Sequence, residues 1–415
     1  MLFDKIRNNK TILKNTGYLS IIEIIRLAMP FVALPYIIQT VGAENYGLAV
    51  FAQTIISYFS IFINWGLDIS AVKDVSVNRN NHVELNWIVS SVLGIKLLLF
   101  LISFMILLLC MYIIPFMNTY KTLFFFAFLT CLSEVLFPAW FYQGIEKMKY
   151  LTIIRTTSIL FYTISVFIFI DNSDDYEKIV LLQSLGNIIA GCLSLYILFV
   201  INKIKLVLPS YVRLKNVFNE GFPFFMSRVS VVFNNTMAKT ISGIFFTMEF
   251  VAAFDLAQKI SSASLIPIQM LNQSAYPHIA KTLNVIFVRR FFVVNVVISF
   301  IIAAFVFISS PLIVYVFANN QLESSVTILR ILSLWIFCGG ITTYIGGPVL
   351  VSFGYAKPFN NSVIISTIIL ILLYLIVYLL DIYNIYIYAL ILSISEMTIL
   401  AYRLYYCFYY KILNL

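Results

Sequence analysis

Charge is scarce in this chain. Only 11% of its 415 residues are Asp, Glu, Lys or Arg, against ~25% in soluble domains. Apolar residues make up 61%, and mean hydropathy is +0.97. No soluble core buries that much apolar surface and leaves a wettable exterior. Histidine is nearly absent, with only His82 and His278. The five cysteines (Cys110, Cys131, Cys192, Cys338, Cys407) form no CxxC pair and fall in apolar runs. They read as small buried hydrophobes, with no disulfide, metal or haem site implied. Long polar stretches are missing too. The longest, Lys73–Asn86 and Asn202–Asn216, are too short to hold a soluble catalytic domain. No GxxxxGK[ST] loop is present to bind ATP. No cofactor is expected.

What fills the chain is a series of apolar runs. A bilayer-spanning helix needs roughly 20 mostly apolar residues. About twelve such stretches can be placed, near 12–38, 47–69, 87–115, 121–141, 151–170, 178–201, 218–242, 250–275, 291–317, 325–350, 359–380 and 385–407. They are too long and unbroken for the ~10-residue alternating strands of a membrane barrel. The first run has no small-residue cleavage site and reads as a retained span. The expected fold is all-α, a polytopic membrane protein of about twelve transmembrane helices.

Lys and Arg placement sets the expected orientation. One set of ends carries Lys5, Arg7, Lys10, Lys14, Lys73, Arg79, Lys147, Lys149, Lys203, Lys205, Arg213, Lys215, Lys281, Arg289, Arg290, Lys357 and Lys411. The opposite ends carry only Lys121 and Lys178, with Glu44, Asp171, Asp174, Asp175, Glu177, Glu323 and Asp381. Both termini are therefore expected on the cytoplasmic side. The net charge of +9 is mostly this topology signal. Scattered over short loops, it is no nucleic-acid patch.

The chain resembles itself at an offset of 205 residues, where Glu44–Ile55 lies over Glu249–Ile260 with Glu, Ala-Gln and Ile in common. In the second span Gln53, Ser57, Ser60, Asn64 and Asp68 recur at helical spacing. The same offset gives Gln258, Ser262, Leu265, Gln269 and Gln273 in the eighth span, four of the five again polar. Lipid cannot satisfy such a stripe, so it must face protein or water. The expectation is two six-helix lobes around a central wet cavity, an arrangement that recurs in transporters. The lobes are 1–201 and 218–415, with 202–217 as a cytoplasmic linker. Interhelical hydrogen bonding inside a packed bundle is the alternative.

Ionisable groups at membrane depth are costly and invite a functional reading. Arg26 lies mid-span in the first helix, with Glu23 one turn before it. In the seventh span Arg228, Asn235 and Lys239 share a face; in the eighth Asp255 and Lys259 are i,i+4. Glu23–Arg26 and Asp255–Lys259 also suit purely structural pairs. Arg155, Arg330 and Arg403, near span ends, are expected to snorkel to headgroups. Lys96 and Glu134 are deep and unassigned. Arg228 and Lys239 lack an acidic neighbour on their own helix. A surplus of cations suits an anionic, phosphate-bearing cargo.

Three blocks carry a family resemblance. The first combines Pro30–Tyr36, Val41–Leu48 and Asn64–Ala71; the second is Phe137–Met148; the third, weaker, is Phe254–Ile260. With length and span count, they make the chain resemble the O-antigen repeat-unit flippases. These are polysaccharide exporters of the multidrug/oligosaccharidyl-lipid/polysaccharide superfamily. One departure is Gln39, where that family often has Arg before the turn. The resemblance implies transport of undecaprenyl-pyrophosphate-linked oligosaccharide from the inner to the outer leaflet of the bacterial inner membrane by alternating access. It also implies a polysaccharide polymerase and a chain-length regulator as candidate partners. Candidate cargo residues are Arg26, Arg228, Lys239, Lys259, Gln53, Asn64 and Gln269. Candidate ion- or proton-coupling residues are Glu23, Asp68 and Asp255. The rival transporter is a drug or organic-cation antiporter of the same superfamily, which would want unpaired carboxylates. The rival enzyme is a membrane-embedded polysaccharide polymerase or glycosyltransferase. That would want a long external loop or a carboxylate cluster, and neither is visible.

Overall fold

The computed structural model of the protein describes residues 28–382 and 384–413. Among the described residues there are helices and no strands. In chain order they are α1 (Ala28–Val41), α2 (Ala43–Asn64), α3 (Leu67–Val77), α4 (His82–Ile113), α5 (Pro115–Thr119), α6 (Lys121–Leu136), α7 (Ala139–Gly144), α8 (Met148–Phe169) and α9 (Tyr176–Tyr196). Then come α10 (Tyr211–Phe245), α11 (Met248–Ser264), α12 (Ile266–Thr282), α13 (Val285–Ala318), α14 (Ser324–Tyr344), α15 (Ala356–Leu379) and α16 (Ile385–Tyr409). The chain is an all-α, multi-pass membrane protein.

Nine helical stretches among the described residues are long and apolar enough to cross a bilayer, and they match the second to sixth and ninth to twelfth expected spans. The expected first span lies partly outside the described residues. The seventh is α10, a 35-residue helix that starts at Tyr211 rather than near 218. The eighth is broken into α11 and α12 at Leu265, where Pro267 suits the first turn of a new helix. α4, at 32 residues, is ~48 Å long, more than the ~30 Å hydrocarbon core. Its start carries His82–Asn86 of the polar stretch that begins at Lys73, while Lys73–Val77 closes α3.

Helix starts follow capping chemistry. Asn81, Asn284 and Asn384 each accept a backbone N–H of the helix they precede, α4, α13 and α16. α9 and α14 each run on into a π-helical segment, Ile197–Ile201 and Ile345–Val351. The second contains Gly346, Gly347 and Pro348, where a regular i→i−4 ladder cannot continue.

The chain divides into two compact units. One comprises the described residues up to Gly42 together with Ala52–Val229. Its core gathers Leu67, Val89, Val92, Trp140, Phe141, Tyr142, Ile154 and Leu198. Here the second span is not one helix. Trp65 (φ 50°) and Gly66 (φ 71°) are left-handed and separate α2 from α3. A Cβ on Gly66 would sit 2.5 Å from the Gly221 carbonyl oxygen, so only glycine fits this turn. The Trp65 indole is stacked between Phe218 and Phe225 of α10, with centroids 4.3 and 4.4 Å away, and donates to the Phe218 carbonyl at 3.0 Å.

The other unit comprises Ala43–Phe51 and Ser230–Leu415. Its core gathers Ile279, Val288, Tyr344, Ile345, Val349 and Cys407. Two expectations are corrected. Cys192 is exposed on α9, not buried. Arg403 does not snorkel. It is 6% exposed, donates to Ser362 Oγ at 2.9 Å and the Thr342 carbonyl at 2.8 Å, and lies over the Phe359 ring. Those acceptors sit on the helices packed around α16, so the guanidinium is satisfied without reaching water.

Candidate functional site

Each unit holds a buried polar cluster. In the first unit, the left-handed break after Asn64 folds Asp68 back over it, and Asn64 Nδ2 donates to Asp68 Oδ2 at 2.5 Å. Lys96, only 1% exposed on α4, donates to Asp68 Oδ1 at 2.6 Å and to the Glu134 carbonyl at 3.1 Å. Asn64 also donates to Glu134 Oε2 at 3.3 Å. Lys96 and Glu134, unassigned from sequence, therefore belong to one network with Asn64 and Asp68. A buried lysine survives only because a carboxylate and a carbonyl replace its hydration.

The rest of the second-span stripe is half-buried and bonded within its own unit. Gln53 donates to Gln183 on α9 at 2.6 Å. Ser60 meets Cys131 Sγ on α6 at 3.4 Å, and Ser57 donates to the Thr54 carbonyl. The packed-bundle alternative thus describes the Gln53 and Ser60 contacts, while that of Ser57 stays within α2. Beside Asp68 lies a cavity of about 330 Å³, lined also by Trp140, Gln143, Arg155 and Arg228. Neither arginine is in an ion pair among the described residues.

In the second unit, Asp255 on α11 is the hub. It is 3% exposed. Lys259, one turn on, reaches its Oδ2 at 2.7 Å. Lys239, from α10, reaches its Oδ1 at 3.1 Å. The partner missing from Lys239's own helix comes from the next one. Tyr46 donates its hydroxyl to Asp255 Oδ2 at 2.6 Å and accepts from Lys259 at 2.8 Å. Gly47 lets Tyr46 come this close: a Cβ there would overlap the Met248 carbonyl at the start of α11. Two lysines around the one buried carboxylate give this cluster a net charge of +1, with Lys259 the exposed member. Tyr46 was not foreseen as a site residue, though it lies in the Val41–Leu48 block.

The remaining candidates are dispersed. Gln258 donates to the Asn235 carbonyl at 2.9 Å. Gln269 is exposed on α12 and is not among the contacts of Asp255. Glu23 and Arg26 lie outside the described residues. A further polar cluster escaped the sequence reading altogether. Glu396 on α16 accepts from Thr342, whose carbonyl takes the Arg403 bond. The spacing of Glu396 and Arg403, seven residues on one helix, was the signal available. Among the described residues no group of three or more His, Cys, Asp or Glu gathers to hold a metal ion.

The chain is similar to two curated proteins, each named "Putative O-antigen transporter". One, from Escherichia coli strain K12, is 23% identical over 372 residues, covering 88% of this chain and 90% of the relative. The other, from Shigella dysenteriae, is 26% identical over 372 residues, covering 86% and 90%. Among solved structures, the lipid II flippase MurJ in its inward closed conformation matches with a TM-score of 0.79 at 14% identity, over 95% of this chain and 90% of that one. An inward-facing MATE-family multidrug resistance transporter of the MOP superfamily matches with 0.69 at 14% identity, over 94% and 98%. These two likenesses establish the fold. The family described as polysaccharide biosynthesis protein matches residues 12–283, and the chain belongs to it.

Proposed function

We propose that the protein is a flippase, not an enzyme. It moves undecaprenyl-pyrophosphate-linked O-antigen or polysaccharide repeat units from the cytoplasmic to the outer leaflet of the bacterial inner membrane, by alternating access. The observation that carries this reading is the excess of positive charge around Asp255 and at the cavity beside Asp68. Asp255 faces two lysines, and Arg155 and Arg228 border one cavity without ion-pair partners among the described residues. Surplus cations on membrane-spanning helices are expensive and are repaid by an anionic cargo, for which guanidinium and ammonium groups are suited donors. An organic cation would want open carboxylates, yet Asp68 and Asp255 are both engaged by lysines. Family membership and the two relatives named as O-antigen transporters support the same reading.

In this proposal Arg26, Arg228, Lys239 and Lys259 bind the pyrophosphate or acidic sugar. Gln53, Asn64 and Gln269 offer hydroxyl partners. Gln53 and Asn64 must exchange their present bonds to Gln183 and Asp68 to do so. Glu23, Asp68 or Asp255 couples transport to a proton or cation, which would compete with lysine for the carboxylate. The lobes are 1–201 and 218–415, joined by a cytoplasmic linker at 202–217, with both termini cytoplasmic. A polymerase and a chain-length regulator are the proposed partners.

The test is reconstitution. A fluorescent lipid-linked oligosaccharide in proteoliposomes should become accessible to an external impermeant reagent faster than in protein-free vesicles. Alanine at Arg26, Arg228, Lys239 or Lys259 should slow this about tenfold or more, since each charge-assisted bond contributes ~1.5–3 kcal/mol. Wild-type rates for all four variants would refute the cationic-site reading.

A further inference from the structure

The block Phe137–Met148 is one of the three that carry the family resemblance. The structure gives it a shape. Phe137 and Pro138 separate α6 from α7, and α7 packs against α3. A Cβ on Gly144 would sit 2.5 Å from the Val75 side chain, so α7 lies tight on α3. That contact places Trp140 and Gln143, one helical turn apart, on the cavity that Asp68 of α3 also lines. The neighbouring aromatics are settled. Phe141 and Tyr142 are core, and the Tyr142 hydroxyl donates to the Ser194 carbonyl at 2.5 Å. Trp140 is not settled. It is 1% exposed, and its indole N–H has no hydrogen-bond partner among the described residues.

Buried donors are normally paired; sealed as it is, this one reaches an acceptor in the adjoining cavity only if the ring turns. The surroundings describe that acceptor. Arg155 on α8 and Arg228 on α10 bring two positive charges free of ion pairs among the described residues. The Asp68 charge is already balanced by Lys96, and its remaining lone pairs can accept. The Gln143 amide adds a donor and an acceptor. At about 330 Å³ the cavity falls at the small end of ligand sites, ~300–1,000 Å³. Two guanidinium forks want phosphate; an orphan indole N–H, an amide and a carboxylate want hydroxyls.

We propose that this cavity is a subsite for a sugar phosphate, in which Arg155 and Arg228 hold the phosphate while Trp140, Gln143 and Asp68 recognise the saccharide. It rests on the flippase reading, since it assigns the sugar–phosphate junction of that cargo to a place in the first unit. Trp140 and Gln143 thereby become specificity residues, and Arg155 a phosphate-binding one.

The test uses the full-length protein in phosphatidylcholine nanodiscs, titrated calorimetrically with N-acetylglucosamine 1-phosphate and with inorganic phosphate. Arg155→Ala and Arg228→Ala should weaken both probes by roughly tenfold or more. Trp140→Phe keeps the ring in the core, and with Gln143→Ala should weaken the sugar phosphate several-fold while leaving phosphate unchanged. Wild-type sugar-phosphate affinity in both of those variants overturns the proposal. So does a cavity that takes phosphatidylglycerol, added to the disc, with no response to the sugar phosphate; Arg155 would then be a headgroup anchor. The flipping assay separates the two levels. Normal flipping with unaltered binding in every variant sinks the subsite alone. The expected binding pattern without flipping keeps the subsite and sinks the flippase.

Discussion

Asp255→Asn is the most informative single change in the second unit. The amide keeps the shape of the carboxylate and removes its charge, so Lys239 and Lys259 lose their common counter-ion. Breaking a buried pair by deleting one partner costs ~3–5 kcal/mol. The two lysines do not share that loss equally. Lys239 is 16% exposed and has no route to water comparable with that of Lys259, which is 44% exposed and contributes at most ~1 kcal/mol. Nearly all the penalty therefore belongs to Lys239. Lys239→Met alone should be mild, because Asp255 keeps Lys259 and Tyr46. The double variant Lys239→Met/Asp255→Asn should recover to within ~1 kcal/mol of wild type, since the one remaining lysine can snorkel. Equilibrium unfolding in mixed micelles reads all three variants. A wild-type stability for Asp255→Asn, or a double variant no better than Asp255→Asn, would refute the assignment of Asp255 as the charge hub.

Gly66→Ala should destabilise the first unit by ~1–3 kcal/mol, from a left-handed backbone and a collision with the Gly221 carbonyl; unfolding midpoints against Gly94→Ala, which meets open space, give the comparison. A cargo carrying two negative charges outward gains ~4–5 kcal/mol at ~100 mV, a bias of about a thousandfold. Flipping in proteoliposomes should therefore respond to an applied potential and ignore nucleotide; unchanged initial rates after collapsing potential and ion gradients would exclude this energy source. For topology, a single cysteine at Asn172 should react with an impermeant reagent in intact cells and one at Asn8 should not; labelling at Asn8 would invert the orientation.

Hydropathy made the nine apolar stretches legible because lipid contact imposes it on every exposed turn. The helices it marks less strongly, α10 and the α11–α12 pair, carry Arg228, Lys239, Asp255 and Lys259. Site residues dilute the signal that finds spans. The Asp255–Lys259 pair was legible since both groups share one helix. Lys239–Asp255 and Lys96–Asp68 were not, because a partner on a neighbouring helix depends on packing that periodicity does not encode. Arg403 was misjudged for the same reason: its acceptors, Ser362 and the Thr342 carbonyl, lie 41 and 61 residues away. The break at Trp65–Gly66 was hidden inside an unbroken apolar run, where only Gly66 hinted at a positive φ. The break at Leu265 did leave a trace in Pro267.

The indole of Trp65, held between two rings of α10, has a mechanical consequence. Each stacked pair is worth ~0.5–1.5 kcal/mol beyond its buried area, and the indole is additionally tied to the Phe218 carbonyl. Trp65 is the immediate neighbour of Asn64 and lies three residues before Asp68. Within the first unit, then, the opening turns of α10 are latched to the very segment that grips Lys96. A tug on those turns that leaves the latch closed is transmitted to the Asn64–Asp68 contact, whereas slack arises only if the stack slips. Shaving Phe218 or Phe225 to leucine would loosen that latch while leaving every charge in place.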